Sequence, residues 1–194
     1  LSANRGGTAF GGPVVFINEI LSHTDLPQTD VIELYNPNSE PANIGGWYLT
    51  DNSLIPKKYR IPNGTVIPGN GYWAVNEDNN ADAGAPLNYF GTAFSLSSRG
   101  DEVFLFSAKD EGLFTGYAHS AIFRATENGV SIIRHVNGNG KEIFVPQLGP
   151  PTLEINRFTA FPDGYPNSTP LVEKAVISEI CYDPFTGGNE YIEI

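Results

Sequence analysis

Two glutamates, Glu19 and Glu33, lie in short apolar runs, Phe16-Ile-Asn-Glu-Ile20 and Asp30-Val-Ile-Glu-Leu34. Two carboxylates on adjacent strands have the makings of an acid/base pair of the kind that cleaves glycosidic bonds. The plainer reading puts each on the solvated face of a strand, or has it accept hydrogen bonds from a neighbouring loop. Strict alternation does not decide between them, because Ile17 and Glu19 share one face whereas Ile32 and Leu34 lie opposite Glu33.

A second cluster, Asp78-Asn-Asn80-Ala-Asp82-Ala-Gly84, sets oxygen ligands at positions 1, 3 and 5 as a calcium loop does, with Glu77 beside it. The glycine falls at position 7 instead of 6 and position 12 lacks a glutamate. The expectation is a plain Asx-rich surface loop and no cofactor, with calcium at Asp78, Asn80 and Asp82 as the alternative. The three histidines, His23, His119 and His135, have no metal-binding spacing, and no serine occupies a Gly-x-Ser-x-Gly elbow. Gly138-Asn-Gly140 is too short to cradle a phosphate. Nothing assembles a nucleophile, a base and an orienting group, so a non-catalytic protein is expected.

The elements that must position these residues are strands. Val14–Ile20, Val31–Tyr35, Trp47–Thr50, Tyr72–Val75, Glu102–Phe106, Ser131–Arg134 and Glu142–Val145 are short runs rich in Val, Ile, Phe and Tyr. Between them stand turn signals such as Pro62-Asn-Gly64, Pro68-Gly-Asn-Gly71 and Asn137-Gly-Asn-Gly140. No stretch keeps a 3.6-residue period, and 21 Gly with 15 Pro in 194 residues oppose long helices. The pattern predicts an all-β, antiparallel sandwich or barrel. Trp47 is expected between the sheets.

Twenty-two acidic against 11 basic residues give a net charge of −11, which disfavours nucleic acid as a partner. No run is long and apolar enough for a membrane span, so no membrane insertion is expected. The single cysteine, Cys181, excludes an internal disulfide and is expected to be a buried, inert thiol. The chain has no Met, which suggests a processed product or a piece of something longer.

An internal repeat is visible at an offset of 160: Phe16–Ile20 returns as Val176-Ile-Ser-Glu-Ile180, and Asp30–Leu34 as Glu190-Tyr-Ile-Glu-Ile194. Glu19 and Glu33 thus recur as Glu179 and Glu193. The expected organisation is a Gly-rich lead-in at 1–13, a sandwich over 14–165, a linker at 166–174, and the truncated start of a second copy at 175–194. Strands cut from their domain have unpaired edges, so self-association through 175–194 is expected.

Val15-Phe-Ile-Asn-Glu-Ile20, Asp30-Val-Ile-Glu-Leu-Tyr-Asn36, Ile44-Gly-Gly-Trp-Tyr-Leu-Thr-Asp51, Tyr59-Arg-Ile-Pro with Val66-Ile-Pro-Gly69, Phe94-Ser-Leu through Gly100-Asp-Glu-Val-Phe-Leu-Phe106, and Gly129-Val-Ser-Ile-Ile-Arg134 occur in this order. Together they resemble the lamin tail domain as it occurs in secreted bacterial proteins. The resemblance implies an immunoglobulin-like β-sandwich and a non-enzymatic module of a larger extracellular or cell-surface protein. Leu113–Tyr117 departs from the family in lacking an acidic residue, and Lys141–Phe158 is longer than its usual close. The partner expected for such a module is a protein or a cell-surface polymer, met by the exposed aromatics Tyr48, Tyr59, Trp73 and Tyr89. A spacer without a ligand is the other reading.

Overall fold

The computed structural model describes residues 11–26, 28–77, 89–109, 112–148, 166–171, 179–181 and 187–193. Short apolar runs between turns become strands β1 (Phe16–Leu21), β2 (Val31–Tyr35), β3 (Ala42–Asn43), β4 (Tyr48–Thr50), β5 (Tyr59–Arg60), β6 (Val66–Ile67) and β7 (Tyr72–Asn76). They continue as β8 (Gly100–Lys109), β9 (Leu113–Arg124), β10 (Ile132–Val136), β11 (Glu142–Pro146), β12 (Glu179–Cys181) and β13 (Tyr191–Glu193). A five-stranded sheet has the order β11-β10-β1-β2-β7 and a four-stranded sheet the order β5-β4-β8-β9. Every ladder in both is antiparallel.

Between the sheets lies one apolar core. Ile17, Ile20, Ile32, Leu34, Val75 and Ile132 of the first sheet meet Leu49, Val103, Leu105, Ala121 and Phe123 of the second, with Trp47 among them. Alternation along β8 sends Val103 and Leu105 inward and Phe104 and Phe106 outward. The all-β, immunoglobulin-like sandwich expected from the sequence is the fold. Asn137–Gly140 forms the β10–β11 turn: Asn137 Oδ1 accepts from the amides of Asn139 and Lys141, and Gly140 takes φ 75°.

The longest strand, β9, was not among the expected runs. Its 12 residues, Leu113–Arg124, include Thr115, Gly116, Ala118, His119 and Ser120, so it lacks the β-branched density that marks a strand. It forms because its backbone pairs along nearly the whole of β8, from Gly100↔Arg124 to Lys109↔Leu113.

Residues 166–171, expected as linker, run against the end of the sandwich. The amide of Leu148 donates to Thr169 O at 2.7 Å and that of Leu171 to Pro146 O at 2.8 Å. Pro170 bridges Gln147 antiparallel.

Candidate functional site: a buried carboxylate pair

Glu19 and Glu33 are direct cross-strand partners in the β1–β2 ladder. A bulge at Asn18 brings this about: Ile17 pairs Leu34 and Glu19 pairs Glu33, so one extra residue on β1 reverses the alternation. Ile17 and Ile20 therefore face the core while Glu19 joins Glu33 on the opposite face of the sheet. Strict alternation had placed Ile17 and Glu19 together, and the bulge corrects it.

That face is not solvated. Both glutamates are 0% exposed, with Ile133 and Ala74 as their lateral neighbours in the ladders. Leu21, Val31 and Ala74 form a small second apolar cluster on the same side. The expectation of a solvated strand face is corrected; the other half of that reading, hydrogen bonds from neighbouring segments, is what the carboxylates have. Glu19 Oε1 accepts from Ser131 Oγ at 2.5 Å and Gln147 Nε2 at 2.8 Å. Glu33 Oε1 accepts from Asn18 Nδ2 at 2.7 Å. Asn18 and Asn167 exchange amide hydrogen bonds, and Asn167 Nδ2 also reaches Arg134 O at 3.0 Å. The amide of Ser168 donates to Gln147 Oε1 at 3.0 Å. The supposed linker thus supplies two of the polar partners that close the site.

Burial pushes the Glu33 carboxyl up to about 8, with the nearby Glu19 charge adding to it and the Asn18 hydrogen bond opposing it. At neutral pH Glu33 carries a proton. An acid beside a carboxylate is the chemistry of a glycosidase, but a saccharide has no access to carboxyls that are fully enclosed. What the arrangement does is fix β1, β2, β10 and the 147–168 contact to one another through a network of buried hydrogen bonds.

The four aromatic candidates do not form a common exposed surface. Tyr48 is only 8% exposed, which corrects its expected exposure. Lys57 Nζ lies 5.8 Å from its ring centre, and the Phe114 ring packs edge-on at 5.9 Å. Tyr59 and Trp73 are half-buried against the core, and burial raises the Tyr59 hydroxyl to about 12. Tyr89 is half-buried and bridges Asn76. Asp78, Asn80 and Asp82 lie outside the described residues; among those described, no three acidic, His or Cys side chains gather as for a metal.

Another set of aromatics lies on the outer face of the four-stranded sheet, with Phe104 and Phe106 half-buried and Phe114 exposed. Phe104 and Phe106 stand side by side with ring centres 6.1 Å apart and planes 15° apart, and Phe114 follows at 5.7 Å. Their cross-strand partners are Thr50 and Ser120 beside Phe104, and Tyr48 and Ala118 beside Phe106. Ile122, on the same face, is 70% exposed and Phe114 is 45% exposed. The sequence reading passed over these residues, although Val103-Phe-Leu-Phe106 is apolar at both parities, the signal that both faces of a strand carry apolar side chains.

The architecture is that of an antiparallel, immunoglobulin-like β-sandwich module with a buried carboxylate pair. A family model described as Lamin Tail Domain matches residues 8–119, more than half of the 194-residue chain, and the chain belongs to that family. Comparison with curated proteins and with solved structures gave no match.

Proposed function

We propose that this chain is an interaction or scaffolding module of a larger, secreted or cell-surface multidomain bacterial protein. The observation that carries the reading is the second hairpin. In it Glu179 pairs Glu193, Ile180 pairs Ile192 and Cys181 pairs Tyr191. These are the partners of Glu19↔Glu33, Ile20↔Ile32 and Leu21↔Val31 shifted by 160. A hairpin that reuses both the sequence and the register of the first is what a tandem array of the same module requires. Its Ile192 is 61% exposed, an apolar strand residue available to a neighbouring segment or chain.

The partner is a protein or a cell-surface polymer, and the Phe104, Phe106, Phe114 and Ile122 face is the surface offered to it. An attached extracellular hydrolase targeted to such a polymer is the second reading, favoured by the flat pair of rings at Phe104 and Phe106. The test is co-sedimentation of the full chain with insoluble cell-envelope polymer and, separately, capture of envelope proteins. Phe104→Ser with Phe114→Ser should abolish retention without changing the melting profile by more than a few degrees. Equal retention of wild type and variant removes this face from the proposal, and no retention in either assay leaves the spacer reading in its place.

A further inference from the structure

The group of side chains around Glu19 contains more than a carboxylate with its donors. Ser131, just before β10, and Gln147, just after β11, are opposite each other across the hairpin, and the amide of Gln147 donates to Ser131 O at 3.1 Å. Their side chains meet as well: Gln147 Nε2 is 2.5 Å from Ser131 Oγ. The carboxamide carbon is one C–N bond of about 1.33 Å from that nitrogen, so it lies within about 3.9 Å of the hydroxyl oxygen. Ser131 Oγ donates its proton to Glu19 Oε1, and the same carboxylate oxygen accepts from Gln147 Nε2. On the other side of the carboxamide, the Ser168 amide points at Gln147 Oε1. Ser131 and Glu19 are 0% exposed and Gln147 1%.

These positions match the roles of acyl transfer: a hydroxyl nucleophile hydrogen-bonded to a base, a carboxamide electrophile, and a backbone N–H at the oxygen where negative charge develops. We propose that Ser131 and Gln147 become joined by an ester bond that the folded chain forms autocatalytically, with Glu19 as the base. Once the Gln147 carboxamide turns its plane toward the hydroxyl, Ser131 Oγ attacks Cδ while Glu19 takes the hydroxyl proton. The tetrahedral oxyanion is held by the Ser168 N–H. The Cδ–Nε2 bond then breaks, Glu19 returns the proton to the leaving nitrogen, and ammonia departs. One O–C bond forms, one C–N bond breaks and nothing is oxidised or reduced. Enclosure keeps water from the ester.

Ser107 has a different setting. Ser107, also 0% exposed, donates to Tyr117 O at 3.0 Å and accepts from Thr115 Oγ1 and the Tyr117 amide, with no carboxylate in its set. The proposed bond fastens the edge strand β11 to the interior strand β10. Edge strands are where a sheet begins to open, so a covalent tie there acts at the least protected ladder.

Intact mass spectrometry of the full folded chain tests this. The expected mass is lower than that of the sequence by one ammonia, about 17 Da, and tryptic digestion should leave the peptide ending at Arg134 joined to the one beginning at Glu142. Mild alkali should separate the two. Ser131→Ala and Glu19→Gln should restore the full mass and both free peptides, and Ser131→Thr should retain the join. Because Glu19→Gln removes a buried group, a second measurement follows wild type itself: the chain held in urea keeps its full mass and loses ammonia only on refolding. Asn128-Gly129 and the other Asn-Gly pairs lose ammonia as succinimides, and the joined peptide separates the two sources. A folded wild type without the joined peptide after prolonged incubation overturns the proposal, as does a joined peptide that persists in Ser131→Ala.

Discussion

The outward faces of the two sheets invert the usual expectation for a sandwich. On the five-stranded sheet the outer face carries Glu19 and Glu33, and both are fully enclosed. On the four-stranded sheet it carries Phe104, Phe106, Phe114 and Ile122, and these retain access to solvent. The difference arises from what lies alongside. Asn167 and Ser168 reach the first face through Asn18, Arg134 and Gln147, whereas the described contacts on the second come from residues near its own strands, Tyr48 opposite Phe106 and Lys57 over the Tyr48 and Phe114 rings. Charge on a strand therefore marks neither surface nor site by itself. A chain segment far away in sequence decides which polar residues of the first face are enclosed.

If this contrast is right, substitutions at equivalent outward positions should have unequal effects. The largest is expected at Leu21→Ala, on the enclosed face, where removing a fully buried side chain should cost about 2–5 kcal/mol in urea unfolding. A loss below about 1 kcal/mol would show that the enclosed face is not packed.

Next in size is the pH response of Glu33. Its folded-state value, about 8, lies above the ordinary 4.5, so the folded state must hold a proton that the unfolded chain releases. Its contribution is fully present below pH 4.5 and is lost as pH rises through about 8, by a few kcal/mol in order of magnitude. Glu33→Gln keeps a neutral group of similar shape, so it should flatten the loss between pH 4.5 and 8. An unchanged pH profile in the variant would place the titration elsewhere.

His119 gives a response of opposite sign, on the side of the sandwich between the sheets. The amide of Ile17 donates to its Nδ1 at 3.0 Å, so the ring is the neutral Nε2–H tautomer, with Nε2 toward Glu142 at 2.7 Å. Burial lowers its pKa below the ordinary value of 6.5, against the pull of Glu142. The stability it contributes is present above pH 6.5 and is lost as pH falls through the lowered value. In the Glu33→Gln background the remaining loss on acidification should follow the His119 ring resonances in an NMR titration. A His119 midpoint at or above 6.5 would break this assignment.

Much of the fold was legible because turn residues punctuate it: the β1, β2, β4, β7, β8, β10 and β11 runs all stand between Gly, Pro, Asn and Asp clusters. β9 was not, since its pairing comes from a long neighbour and not from its own composition. The carboxylate pair was visible as a repeated feature, but its burial was not. A bulge at Asn18 and partners more than a hundred residues away, Ser131, Gln147 and Asn167, have no local signature. The exposure of Tyr48 was illegible for a related reason: it has the composition of a binding residue, and only the positions of Lys57 and Phe114 show that it is covered.

The smallest effect on stability should come from the open face, and it is also the one that separates binding from folding. Ile122 is 70% exposed and stands opposite Glu102, so Ile122→Ser removes little buried area and should change stability by no more than about 0.5 kcal/mol. An exposed apolar side chain on the same sheet face as those rings contributes to an interface once a partner excludes water from it. Retention on envelope polymer or protein should therefore fall several-fold in Ile122→Ser while the urea midpoint stays in place. If the midpoint falls as far as it does for Leu21→Ala, the four-stranded sheet is covered after all and the two faces are alike. If stability and retention are both unchanged, Ile122 lies outside the contact, and the partner surface narrows to the Phe104, Phe106 and Phe114 rings.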